Sequence, residues 1–150
     1  MSLTIAYANV LSLSGNFVDA SIELKEYSRG IMCFTETWLD PSYPHALLQV
    51  DGYRPVFCHD RVGKRGGGVA VYASAALAVK RLNDMELPES VFLEAALSKS
   101  KRLLLVACYR PPINVKADGE SYFFSAAVCC NFNLVSMLIL FNHHHWRPKG

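Results

Sequence analysis

The chain has 150 residues, five cysteines and a formal charge of +2, and about half of it is apolar. That length and apolar content suit one domain able to bury a core and exclude a disordered chain, while the small net charge carries no case for nucleic-acid binding on its own. Cys33, Cys58, Cys108, Cys129 and Cys130 show neither CxxC pairs nor framework-like spacing, which favours reduced, buried thiols over a secreted disulfide scaffold.

From the amino terminus, MSLTIAYANV lacks the basic and long apolar regions of a signal peptide, so a nuclear or cytoplasmic location is expected and secretion is not. Residues 4–10 carry β-branched and aromatic residues in near alternation and predict a strand, broken by the Ser12 to Asn16 cluster. Phe17, Ala20, Leu24 and Tyr27 recur at helical spacing, with Asp19, Glu23, Lys25 and Glu26 largely opposite. IMCFT (31–35) is a short apolar run that predicts a buried strand. Strand, helix and strand in that order predict an α/β unit with neighbouring strands.

Beyond the turns at Asp40-Pro41 and Tyr43-Pro44, short strands are predicted over 53–59, 69–74, 91–97 and 103–109, separated by turn residues that include Gly63 and Gly66-Gly67-Gly68. Arg110-Pro111-Pro112 stops the last of these, because proline lacks an amide donor and restricts its predecessor. VCCNFNLVSMLILF (128–141) is apolar but interrupted by Asn131 and Asn133 and shorter than the ~20 residues of a spanning helix, so no membrane span is expected. NHHHWRPKG at the end reads as an unstructured tail, and three adjacent histidines there read as adventitious metal binders.

Polar residues repeat at strand ends: Asn9, Glu36, Tyr109, Asn131 and Asn133. In layered α/β folds ligands gather at such ends, so one site assembled from distant segments competes with the plainer reading of ordinary strand terminators. GKRGGG is not a phosphate-cradling P-loop, because its lysine precedes the glycines. Trp38 is expected to pack.

ANVLSL (8–13), IMCFTETWLD (31–40), DGYRPVFCHDR (51–61), KRGGGVAVY (64–72) and LLLVACYRPP (103–112), in this order, closely resemble the endonuclease domain of non-LTR retrotransposons, a branch of the endonuclease/exonuclease/phosphatase superfamily near the apurinic endonucleases. The resemblance covers residues 1–134, and 135–150 read as a divergent tail. It implies a four-layered α/β sandwich, here truncated, because no SDH motif follows CNFN. The chain is then expected to supply one sheet, the first helix and only the beginning of a second sheet. Apolar residues of LVACY and SAAVCC would lie exposed or repacked, and self-association through that surface is expected.

The resemblance also implies roles. Asn9 and Glu36 fall on the family's metal residues, with Mg²⁺ as the expected cofactor; a hard cation that keeps several waters is adequately held by one carboxylate with amide support. Tyr109 falls on the active-site tyrosine that donates to the scissile phosphate of DNA, the expected partner. CNFNL aligns with GDFNL, placing Asn133 on the retained asparagine and Asn131 on the catalytic aspartate. An amide cannot accept a proton near neutral pH, and losing a general base costs ~10²–10⁴ in rate, so an inactive chain is expected. Arg61, Lys64 and Arg65 read equally as DNA-phosphate contacts and as a solvated hairpin turn. The competing reading of the whole is a non-catalytic DNA-binding or protein-interaction remnant, or a chain without a selected role.

Overall fold

Alternation of side chains along strands builds two cores on the two faces of one sheet. The computed structural model describes residues 3–26, 30–109, 127–132 and 135–141, the last two spans as backbone. β1 (Ile5–Asn9), α1 (Phe17–Glu26) and β2 (Ile31–Thr35) form the expected unit: β1 and β2 are parallel neighbours, with Ile5 opposite Ile31 and Asn9 opposite Thr35. β3 (Phe57–His59) and β4 (Val69–Ala73) complete this sheet in the order β1-β2-β4-β3.

The second sheet contains β5 (Ala78–Arg81), β6 (Ser90–Ala96), β7 (Arg102–Cys108), β8 (Ala127–Phe132) and β9 (Val135–Phe141), ordered β5-β6-β7-β9-β8. It has five strands among the described residues, and β9 falls in the span expected to be a divergent tail. β5 escapes sequence reading because AVKR lacks an apolar run. It is an edge strand whose Lys80 and Arg81 suit a position where unpaired backbone must be kept from other chains. The histidine-rich end, 142–150, lies outside the described residues, and among the described residues no helix is long and apolar enough to cross a membrane.

One core lies between the sheets: Ile31, Cys33, Val69, Val71 and Ala73 of the first meet Val91, Leu93, Ala95, Leu103, Leu105 and Ala107 of the second. The opposite face of the first sheet, with Met32, Phe34, Ala70 and Tyr72, is covered by Ala20 and Leu24 of α1 and by Leu48, Val50 and Tyr53 of the long connection. Tyr72 is fully buried there, its ring edge-on to Phe34 and Tyr53 at 6.0 Å and its hydroxyl donating to the Leu48 carbonyl at 2.8 Å. Burying a side chain of this size stabilises by about 1.5–3 kcal/mol, provided its polar tip finds a partner. β2 and β4 are therefore buried on both faces, which explains why they read as continuous apolar runs.

Of the LVACY residues expected to lie exposed or repacked, Leu105, Val106 and Ala107 are buried, with Leu105 and Ala107 packed against the first sheet. β7 has β6 on one side and β9 on the other, so its backbone edges are paired, and Cys108 is half-buried. The side chains of SAAVCC lie outside the described residues.

Candidate active site at the strand ends

Backbone pairing carries on past the ends of β1 and β2 and fixes the turn that holds Glu36. Val10 donates to Thr35, Ser12 to Glu36 and Leu13 to Thr37, at 2.9–3.0 Å. Such pairing forces unusual backbone. Leu11, Ser12, Glu36, Trp38 and Glu89 have positive φ, and these are all the non-glycine residues in that region of conformational space among the described residues. Each costs on the order of 1–3 kcal/mol, a strain that clusters at ligand sites. Asn16 offsets part of it by donating its side-chain amide to the carbonyls of Val10, Leu11 and Ser12 at 3.0–3.2 Å.

Tyr109, just after β7, reaches across from the second sheet and donates its hydroxyl to Glu36 Oε1. Burial, followed by this bond and the Glu36 charge, pushes the Tyr109 phenol well above its ordinary value, with Arg61 opposing. Asn9 ends β1 beside this turn. It is 5% exposed and its Oδ1 has no hydrogen-bond partner, as is also true of Thr37 Oγ1. A buried amide oxygen without a partner costs about 1–3 kcal/mol, which a ligand at that atom would recover. A carboxylate and an unpartnered amide oxygen on adjacent strand ends form an oxygen donor set that fits a hard divalent cation retaining water.

Glu89 supplies what sequence reading missed. Its carboxylate holds Arg61 in a two-pronged ion pair, Nε to Oε1 at 3.0 Å and Nη2 to Oε2 at 3.2 Å, and accepts from the Gly68 amide at 2.8 Å. Its carbonyl accepts from the Tyr109 amide at 3.0 Å, and the Arg61 guanidinium lies 5.8 Å above the Tyr109 ring. The glycine run follows from this arrangement. Gly67 and Gly68 have φ of +65° and +89°, and a Cβ on either would collide, with the Arg61–Glu89 pair at Gly67 and with the Thr37 hydroxyl at Gly68. The only sequence signal for Glu89 is an acidic residue just ahead of an apolar strand, which is common.

Arg61 is thus committed to Glu89, whereas among the described residues Lys64 and Arg65 carry no ion pair. They line a cleft of about 330 Å³ with Trp38, Leu39, Asp40 and Arg61. Trp38, expected to pack, is 39% exposed there, with the Arg65 guanidinium 6.0 Å over its ring. The structure brings Glu36, Tyr109 and Arg61 together, with Asn9 at the neighbouring strand end, opposite Thr35.

It does not bring Asn131 to them. Asn131 in β8 pairs with Ser136, and Ser136 pairs with Leu103, near the start of β7 and six residues before Tyr109. At ~3.3 Å per residue that is ~20 Å along the sheet from the tyrosine. The physical reason is direction: β8 runs antiparallel to β9, and β9 parallel to β7, so β8 ends where β7 begins. Asn133 lies outside the described residues.

No protein-family model and no curated protein matches the chain by sequence. Solved structures do match. The endonuclease domain of TRAS1, a telomere-specific non-LTR retrotransposon, is 17% identical with a TM-score of 0.55, over 74% of this chain and 46% of that one. An AP endonuclease from Archaeoglobus fulgidus is 20% identical with a TM-score of 0.52, over 77% and 45%. The AP endonuclease LMAP from Leishmania major is 20% identical with a TM-score of 0.52, over 68% and 38%. The chain spans less than half the length of each of these structures. The fold of this chain is therefore the α/β sandwich of the endonuclease/exonuclease/phosphatase type, shared with AP endonucleases and the retrotransposon enzyme.

Proposed function

We propose that this chain is part of a DNA endonuclease of the non-LTR retrotransposon type, retaining metal and phosphate binding but disabled for hydrolysis. The observation that carries it is the Tyr109 hydroxyl on the Glu36 carboxylate beside the unpartnered Asn9 oxygen. Glu36 and Asn9 would hold Mg²⁺, which when bound neutralises charge on a phosphodiester oxygen. With a cation on Glu36, the single Tyr109 O–H would turn from that carboxylate and donate to a phosphate oxygen. Lys64, Arg65 and Trp38 contact the DNA backbone or an adjacent base, as cations and exposed aromatic rings do in nucleic-acid clefts.

Hydrolysis needs a group that takes the proton of the attacking water. Asn131 offers an amide where the resemblance expects a carboxylate, and it stands at the far end of β7 from Tyr109. The remaining activity is DNA binding. Supercoiled plasmid with Mg²⁺ and the purified chain tests this. No nicking is expected from the chain or from Asn131→Asp, while duplex binding in Mg²⁺ should weaken in Glu36→Ala and not differ from it in EDTA. Nicking that Glu36→Ala abolishes would overturn the disabled reading; equal binding by the two proteins in Mg²⁺ would overturn the metal site.

A further inference from the structure

A second group of metal-ligating atoms shares no donor with the strand-end cluster. His45 opens the short 3₁₀ helix His45–Leu48, and Cys58 and Asp60 flank His59 on and just after the edge strand β3. Residues two apart on a strand point to one face, so Cys58 and Asp60 face the long connection. His59 faces the other way, toward the Ser90 carbonyl at 2.8 Å. His45 Nε2 lies 3.3 Å from Asp60 Oδ2, and one ligand atom each of His45, Cys58 and Asp60 all fall within 4.8 Å of one another.

Asp60 supplies the independent observation. Its side chain is 7% exposed and its second oxygen, Oδ1, has no hydrogen-bond partner. A buried carboxylate oxygen left in this state is costly unless something cationic reaches it. Zinc bonds of ~2.0–2.3 Å put neighbouring ligands about 3.3–3.8 Å apart around a tetrahedral ion. The His45–Asp60 distance already matches, and the thiol needs to close by roughly 1.3 Å at most. Imidazole, thiolate and carboxylate together select a borderline ion such as Zn²⁺ over Mg²⁺, which prefers oxygen alone.

We propose that His45, Cys58 and Asp60 bind a Zn²⁺-class ion with the fourth position open to water, clipping the long connection to the edge strand. His45 and Asp60 close a loop of fifteen residues, and β3 has only three residues of pairing to hold it, so such a clip acts where the sheet is weakest. The site is independent of the endonuclease reading.

The test uses the reduced full chain carrying His143→Ala, His144→Ala and His145→Ala, which removes the tail histidines, titrated anaerobically with Co²⁺ and then Zn²⁺. A thiolate-to-cobalt charge-transfer band saturating at one equivalent is expected, displaced by Zn²⁺, lost in Cys58→Ala and at least tenfold weaker in His45→Ala. His45 is exposed enough for its variant to fold, so a folding failure of the cysteine variant leaves the test intact. Glu36→Ala should keep the band. Absence of the band, or a band unaltered by His45→Ala or by a folded Cys58→Ala, would overturn the proposal.

Discussion

The Tyr109 hydroxyl donates to the Glu36 carboxylate across 73 residues of chain, tying the end of β7 to the turn after β2. It is a bond between the two sheets at the rim of their shared core. Hydrogen bonds to a charged group contribute about 1.5–3 kcal/mol when shielded from solvent. Tyr109→Phe keeps the ring and removes only the donor, so urea unfolding should register a loss of about 1–2 kcal/mol. A double-mutant cycle with Glu36→Ala, which removes the acceptor, should recover most of that loss as coupling; additive losses would show that the two side chains do not interact.

Gly67 and Gly52 separate two costs that glycine substitution usually mixes. Both have positive φ, +65° and +87°, but a Cβ at Gly52 meets nothing within 4 Å whereas one at Gly67 collides with the Arg61–Glu89 pair. Gly52→Ala should therefore lose about 1 kcal/mol from backbone strain alone. Gly67→Ala should lose at least about 2 kcal/mol more, because the ion pair must move. Equal losses in chemical denaturation would mean that the pair yields freely.

Much of this was legible because side-chain period and chain order say where strands lie. IMCFT reads as a buried strand since both of its faces are covered, and strand, helix and strand read as an α/β unit with neighbouring strands since near alternation gives way to helical spacing and then to a continuous apolar run. Glu36 and Tyr109 stand out in the sequence as strand-end polar residues, and they meet. Glu89 does not, because what distinguishes it is a contact with Arg61 twenty-eight positions away, and a lone acidic residue before a strand carries no such signal. Position 131 was assigned to the same strand-end cluster from its motif, but strand direction, set by the β8–β9 pairing, decides which end of a sheet a residue occupies. The approach of Cys58 and Asp60 to His45 is equally invisible, since the path of the chain between the 3₁₀ helix and β3 determines it.

Alkaline pH should destabilise the fold through Cys33 and Tyr53. Burial pushes the Cys33 thiol from 9.0 up to about 12 and the Tyr53 phenol from 10.0 up to about 12. Between those values the folded chain holds protons that the unfolded chain has released, so raising the pH favours unfolding. Stability is fully present below about pH 9 and falls through the window from 9 to 12. The unfolding free energy from urea denaturation should drop between pH 8 and 10.5, by on the order of 1–2 kcal/mol for the thiol. Cys33→Ala, although less stable at neutral pH, should show a shallower decline; an identical decline would place the titration elsewhere.

Arg61, Lys64 and Arg65 line one cleft, yet they should respond differently to removal. Arg61 is held by both carboxylate oxygens of Glu89 and stacks over Tyr109, so Arg61→Ala leaves a partly buried carboxylate unpaired and should cost about 1–3 kcal/mol of stability. Lys64 and Arg65 carry no ion pair among the described residues, and their alanine variants should unfold like the parent chain within about 0.5 kcal/mol. If the cleft binds DNA backbone, those two variants should weaken duplex binding at low salt and each lower the slope of log affinity against log salt by about one. Fluorescence anisotropy across a salt series measures both quantities. An unchanged slope in Lys64→Ala and Arg65→Ala would remove the cleft from any account of DNA binding, and an Arg61→Ala variant as stable as the parent would show that Glu89 does not depend on its partner.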